Sequence, residues 1–203
     1  SDTFSVSASH RYSEDGIYQG QVRVTTNDGV SGFESFTVIV ENLSPEITGI
    51  DDLVIQEGEI VRTSGISFAD AGVTDTHSVV IQWEPGVQTG GQLVSDLGQG
   101  EVEFEHIYED DGDRIVRVIV EDDDGGSAEA TFRVVIRNAS PILDAGPDIA
   151  GITDTEVVIS ASFEDAGTAD THVISVDWGD GTGFVTNGTR VSQSEEEFKH
   201  TYS

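Results

Sequence analysis

Between Arg114 and Val120 the chain alternates, with Val116, Val118 and Val120 on one face. The next apolar run places Phe132, Val134 and Ile136 on one face in the same way. An earlier pair of runs repeats the pattern with Tyr18, Val22 and Val24, followed by Phe36, Val38 and Val40. A period of two means strands with one buried and one wet face, as in antiparallel sheets. Asn27-Asp28-Gly29 and Asp124-Gly125-Gly126 separate the members of each pair, and such residues favour tight hairpin turns. No segment carries the spacing of an amphipathic helix. Unbroken apolar runs are as short as Val79-Val80-Ile81, so no membrane insertion is expected and no signal peptide is visible.

The alternation belongs to a larger repeat. His10-Arg-Tyr12 recurs 96 residues later as His106-Ile-Tyr108, and 94 residues after that as His200-Thr-Tyr202. Asn42-Leu-Ser44-Pro45 recurs as Asn138-Ala-Ser140-Pro141, again 96 apart. The loop Asp70-Ala-Gly72-Val-Thr-Asp75-Thr-His77 recurs as Asp165-Ala-Gly167-Thr-Ala-Asp170-Thr-His172, 95 apart, and Trp83 and Trp178 keep that register. A period near 95 suits one small domain per repeat. With the Asn-x-Ser-Pro junctions as boundaries, residues 1–44 are the C-terminal half of a repeat, 45–140 a complete one and 141–203 the N-terminal part of a third.

Short strands, turn signals and one Trp per repeat predict an all-β fold of immunoglobulin-like sandwiches in tandem. The motifs narrow this further. Val176-Asp177-Trp178-Gly179-Asp180-Gly181-Thr182, then His106-Ile-Tyr108, Gly112, the valines to Val120 and Asp122 to Gly125 resemble the PKD (polycystic kidney disease) domain family. The middle repeat departs from it, with Gln82-Trp83-Glu84-Pro85-Gly86 in place of the Trp-Gly-Asp-Gly run. The resemblance implies an extracellular or cell-surface, non-catalytic repeat.

Composition restricts the chemistry. There is no Cys, hence no disulfide, thiolate zinc site or thiol nucleophile, and no Met, so a processed or excised piece is expected. Asp and Glu number 39 against 9 Lys and Arg, a formal net charge of −30. Such a surface repels nucleic acid and attracts divalent cations. Acidic chains poor in aromatics are often disordered, but the regular strand alternation argues for a folded one.

The Asp70–His77 and Asp165–His172 loops are the leading site candidates. Asp70 with Asp75, and Asp165 with Asp170, bracket a Gly turn and can close on one hard cation such as Ca²⁺, which takes six to eight oxygens. The other reading is an Asx-turn in which the Asp side chains cap their own backbone. PKD-type domains often bind calcium where the linker meets such a loop, and that resemblance adds Asn42 and Ser44 to the first set and Asn138 and Ser140 to the second. The Glu121–Asp124 run sits on a hairpin tip that could hold a second cation, but a solvated turn is the expectation there. His77 and His172 lack a second His or Cys nearby, so zinc is not expected, and no Gly-x-Ser-x-Gly elbow supports a catalytic triad. Trp83, Trp178, Tyr12, Tyr108 and Tyr202 are expected in the core, the Tyr hydroxyls bonding to backbone at strand corners. Asn187-Gly-Thr189 is a formal glycosylation sequon.

Two functions fit these features. The first is a calcium-stiffened spacer, stalk or filament segment of a surface protein. Its partners would be neighbouring repeats, either of a longer array from which these residues are an excerpt or, on the alternative reading, of other copies that complete the half-repeats head to tail. The second is an accessory polysaccharide- or protein-binding module of a secreted hydrolase. Neither is an enzyme.

Overall fold

The computed structural model describes residues 4–62, 65–94, 98–190 and 196–202, the side chains of 187–190 and 196 excepted. Every regular element among them is a strand. No helix among the described residues is long and apolar enough to cross a membrane.

In chain order the strands are β1 (Gly16–Thr25), β2 (Ser31–Val40), β3 (Glu46–Thr48), β4 (Leu53–Gln56), β5 (Ile60–Arg62) and β6 (Ser67–Ala69). Then come β7 (His77–Glu84), β8 (Val87–Gly90), β9 (Gln92–Val94), β10 (Gln99–Glu103), β11 (Glu105–Ile107) and β12 (Gly112–Asp122). The remainder are β13 (Ser127–Arg137), β14 (Ile142–Asp144), β15 (Glu156–Glu164), β16 (His172–Asp177), β17 (Phe184–Arg190) and β18 (Glu196–Thr201). They pack into two compact units. The first comprises residues 1–51, 62–104 and 115–132, and the second residues 52–61, 105–114 and 133–203.

The first unit holds a sandwich of immunoglobulin type. One layer is β3-β6-β10-β9, and the other is the ladder β12-β7-β8, with the β12–β13 hairpin continuing it. β7 and β12 run antiparallel, pairing Val118 with Ile81 and Val120 with Val79. Their inward residues Val79, Ile81, Trp83, Val116, Val118 and Val120 meet Ile66, Phe68, Val102 and Phe104 of the opposite layer, all buried. Trp83 and Phe104 touch edge to face with centroids 4.9 Å apart, and Trp83 Nε1 donates to Thr89 Oγ1 at 3.0 Å. Burying two aromatics so is among the larger contributions to a small core. The immunoglobulin-like, all-β expectation thus describes the molecule.

The first unit also contains the β1–β2 hairpin, paired from Gly16↔Val40 to Thr25↔Ser31. Its turn is closed by Thr26 N donating to Val30 O, with Gly29 at φ +85°. Here one expectation is corrected. Phe36, expected inward, is 48% exposed and Val22 and Val24 are exposed too, whereas the corresponding Phe132 is 3% exposed. Alternation identifies a face; a second layer must cover it to make it a core.

In the second unit β4 adds in parallel to β13, pairing Leu53 with Val134 and Ile55 with Ile136. β5 pairs with β11, β14-β15-β18 form one ladder, and β16-β17 another. Phe163, Ala161 and Phe198 are buried among its strands. Tyr108 is buried, Trp178 and Tyr12 are half-buried, and Tyr202 is 40% exposed, so Tyr202 departs from the core position expected of it. It is held from its tip instead, with its hydroxyl donating to Trp178 O at 2.9 Å. The side chains of the Asn187-Gly-Thr189 sequon lie outside the described residues.

Candidate metal centres at the repeat joints

The repeated motifs fold into repeated local geometry. In all three His-x-Tyr segments the rings, two residues apart, meet edge to face at 4.7, 4.6 and 4.6 Å. In each Asp-Ala-Gly loop the first Asp caps its own turn: Asp70 Oδ1 accepts from Gly72 N at 3.0 Å, and Asp165 Oδ1 from Gly167 N at 3.2 Å. Its second oxygen meets a histidine, Asp70 with His77 Nε2 at 3.1 Å and Asp165 with His172 Nε2 at 2.8 Å. Each imidazole also packs on the Phe before its loop, His77 on Phe68 and His172 on Phe163. Each histidine therefore orients the first carboxylate of its loop. The Asx-turn is present, and it uses only the first Asp of each pair.

In the first unit the second carboxylate turns inward. Asp75 is 6% exposed and Asp122 8%, and one ligand atom from each lies within 4.8 Å of one from Asp70. A Cβ at Gly72 would collide with the Asp75 carboxylate, so glycine makes room for it. Asn42 Nδ2 donates to Asp122 Oδ2 at 2.9 Å. Ser44 Oγ, Asn42 Nδ2 and Asp122 Oδ2 converge over Gly126, where a Cβ would intrude on all three. The acidic tip is thus not simply solvated, which corrects the expectation for Glu121–Asp124. Asp122 points inward, its Oδ1 taking the N–H groups of Asp124 at 3.0 Å and Gly126 at 2.7 Å. Asp123 Oδ1 accepts from Thr76 N at 2.9 Å and fastens the tip to the loop.

Further carboxylates adjoin. Asp123 and Asp124 group with Asp75, and Glu14 and Asp15 with Asp124. The stretch after His10-x-Tyr12 sits on the same loop, since Thr74 Oγ1 donates to Ser13 O at 3.1 Å and also bonds to Glu14. Electrostatics record the crowding. Burial, then repulsion from Asp70, Glu14, Asp124 and Asp123, pushes Asp75 up to about 6. Burial also raises Asp122, but hydrogen bonds from Asn42, Gly126, Asp124 and Gly125 outweigh it and hold the carboxyl below its ordinary value. The site keeps Asp122 charged while Asp75 resists ionisation, the state expected of carboxylates gathered without a counter-charge.

In the second unit Asp165, Asp170 and His172 present ligand atoms within 4.8 Å of one another. Asn138 Nδ2 donates to Asp170 Oδ2 at 3.1 Å, so here the linker Asn holds the loop's own second Asp. The hydrogen bond from His172, opposed by burial and aided by Gly167 N–H, holds Asp165 below the usual carboxylate range. Ala169 N donates to Glu109 O at 3.3 Å, matching by sequence position the Thr74–Ser13 bond of the first unit. Ser140 is exposed.

Of the eight residues singled out by sequence, the structure brings Asn42, Ser44, Asp70 and Asp75 together in one unit and Asn138, Asp165 and Asp170 in the other. Sequence reading placed Asp122 only within an acidic hairpin tip, apart from the Asp70–Asp75 loop, and missed the adjoining Glu14 and Asp15. The shared signal available for them was position, because Glu14 lies 96 residues before Asp110, just past His-x-Tyr in each repeat. All donors here are hard oxygens save the imidazole, and prearranged buried carboxylates over glycine cradles suit Ca²⁺.

No family model matches the chain, and no curated protein does. Similar solved structures include the PKD domain of an M14-like peptidase from a Thermoplasmatales archaeon, 20% identical with a TM-score of 0.36, covering 47% of this chain and 98% of that one. The ectodomain of the teleost fish polymeric Ig receptor is 14% identical with a TM-score of 0.29, covering 78% of this chain and 86% of that one. Extracellular cadherin domains 1–5 of Protocadherin Gamma B2 are 13% identical with a TM-score of 0.34, covering 79% of this chain and 41% of that one.

Proposed function

We propose that this chain is a non-catalytic, extracellular structural segment of PKD-like repeats, stiffened at its joints by Ca²⁺. The observation that carries the reading is the Asp70–Asp75–Asp122 cluster, in which Asn42 and Ser44 of the linker meet the loop and hairpin tip of the following repeat. Ligands drawn from both sides of a linker make a cation a clamp. With Ca²⁺ in place Asp75 ionises, its repulsion from Asp70, Asp123 and Asp124 is offset, and the linker loses freedom to swing.

At the second joint Asp165 and Asp170, with Asn138 and Ser140 of the linker, fill the corresponding role. The residues would supply carboxylate and amide oxygens, and the ion would supply charge neutralisation rather than reactivity. Partners on this reading are neighbouring repeats of the same kind, in the same chain or in other copies. A net charge of −30 supports a well-hydrated surface outside the cell, where calcium is abundant.

Calorimetric titration of the 203-residue chain with Ca²⁺, beside small-angle scattering in calcium and in EDTA, tests the proposal. Saturable heat that is diminished in Asp70→Ala, and a narrower distribution of dimensions in calcium, are expected. Absence of heat in the unaltered chain overturns the reading.

A further inference from the structure

Glu57 has no place in the site as described so far. It sits at the turn between β4 and β5, where Glu59 N donates to Gln56 O at 3.2 Å, and it is 1% exposed. A carboxylate so deeply buried must be compensated, because removing such a charge from water costs several kcal/mol. One oxygen is: Glu57 Oε1 accepts from Ala139 N of the linker at 2.6 Å. The other, Oε2, is buried and has no hydrogen-bond partner among the described residues.

The carboxylate as a whole lies among other acids. Glu57 offers a ligand atom within 4.8 Å of one from Asp110 and one from Asp170. A Cβ at Gly167 would stand 2.7 Å from Glu57 Oε1 and 2.8 Å from Asp170 Oδ2, so the two carboxylates share the cradle that glycine leaves open. The backbone around them is tied down, with Gly58 N donating to Tyr108 O at 2.9 Å and Glu57 N to Arg137 O at 3.0 Å. Three carboxylates converge from the β4–β5 turn, the segment after His-x-Tyr and the second loop.

We infer that Glu57, Asp110 and Asp170 form a further Ca²⁺ site, with the buried Glu57 as its anchor. It deepens the calcium reading above and shares Asp170 with it, but it rests on a different observation, the unpartnered Oε2. Asp110 and Glu14 hold corresponding places after His-x-Tyr, so this site adds the segment upstream of the linker to the ligand set. Each ligand is a carboxylate and none is nitrogen or sulfur, which selects a hard divalent ion.

The test is a Ca²⁺ titration of the whole chain by calorimetry, with thermal melting followed by circular dichroism, on the unaltered protein, Glu57→Gln, Asp110→Asn and Asp122→Asn. Mg²⁺ serves as the second probe. Glu57→Gln and Asp110→Asn are each expected to bind one fewer Ca²⁺, or to lose at least about tenfold in affinity at one site, while the site weakened by Asp122→Asn stays intact. Asp110 is exposed, so that variant reports even if Glu57→Gln does not fold. A Glu57→Gln protein that melts and binds Ca²⁺ as the unaltered chain does would sink the inference. Loss in Asp122→Asn alone overturns this site and leaves the earlier proposal standing. Loss in Glu57→Gln and Asp110→Asn alone does the reverse. Tighter Mg²⁺ than Ca²⁺ binding at this site would also overturn it.

Discussion

The two joints start from the same loop and resolve its charges differently. In the first, Asp75 is driven into a nest of carboxylates and Asn42 reaches past it to Asp122 on the hairpin tip. In the second, Asn138 engages Asp170 directly, and the additional carboxylates come from Glu57 and Asp110 instead. The first joint adds an acid from the hairpin tip that follows its linker, and the second adds acids from the turn and the segment that precede it. A repeated loop sets the common centre, and its neighbours decide how many carboxylates gather around it.

Protonation should separate the joints most sharply. Without calcium, Asp75 has a folded value of about 6 against an ordinary 3.8, so its protonated form favours the fold. Its contribution is complete below about pH 4 and is lost as the pH rises through 6, on the order of 3 kcal/mol. Asp165, held below its ordinary value by His172, runs the other way: its contribution is present at neutral pH and is lost on acidification. Urea melts without calcium at pH 7, pH 4 and about pH 2 should show Asp75→Asn removing the loss between pH 4 and pH 7, and Asp165→Asn removing the loss below pH 4. If both variants flatten the same limb, the joints are electrostatically alike and the comparison fails.

Calcium itself comes next. At a hundredfold excess over Kd, each occupied site should stabilise by about 2.7 kcal/mol, and lowering the pH below 6 should weaken the first joint as Asp75 takes up a proton. Melting temperatures measured across calcium concentration at pH 5 and pH 7.5 would read this out.

The histidines provide a finer contrast. His77 and Asp70 have fully buried side chains, whereas that of His172 retains 13% exposure. His77→Ala should cost about 2 kcal/mol by stranding a buried carboxylate, and His172→Ala about 1 kcal/mol because the imidazole it removes is itself partly hydrated. Equal losses in denaturant melts would mean that the two loops are packed alike.

The smallest effect belongs to the linkers. Asn42→Ala should cost about 1.5 kcal/mol, since it removes a donor from the buried, charged Asp122. Asn138→Ala, at an exposed bond, should cost about 0.5 kcal/mol. The double variant should be additive, because the two bonds share no partner.

The strands, the repeat register and the pairing of Asp70 with Asp75 and of Asp165 with Asp170 are legible in the linear chain. Each depends on interactions a few residues long: alternation, turn chemistry, and a Gly between two Asp residues. Val116, Val118 and Val120 lie buried where alternation places them. The rest required the third dimension. Phe36 and Phe132 have the same local pattern and opposite fates, since burial depends on a second layer that alternation does not encode. Asp122 reads as a solvated tip until Asn42, 80 residues away, closes over it. Glu57 reads as one more acid among 39 until the fold buries it beside Asp170. A cation site gathers oxygens by distance in space, and only the tertiary structure sets that distance between residues so far apart in the chain.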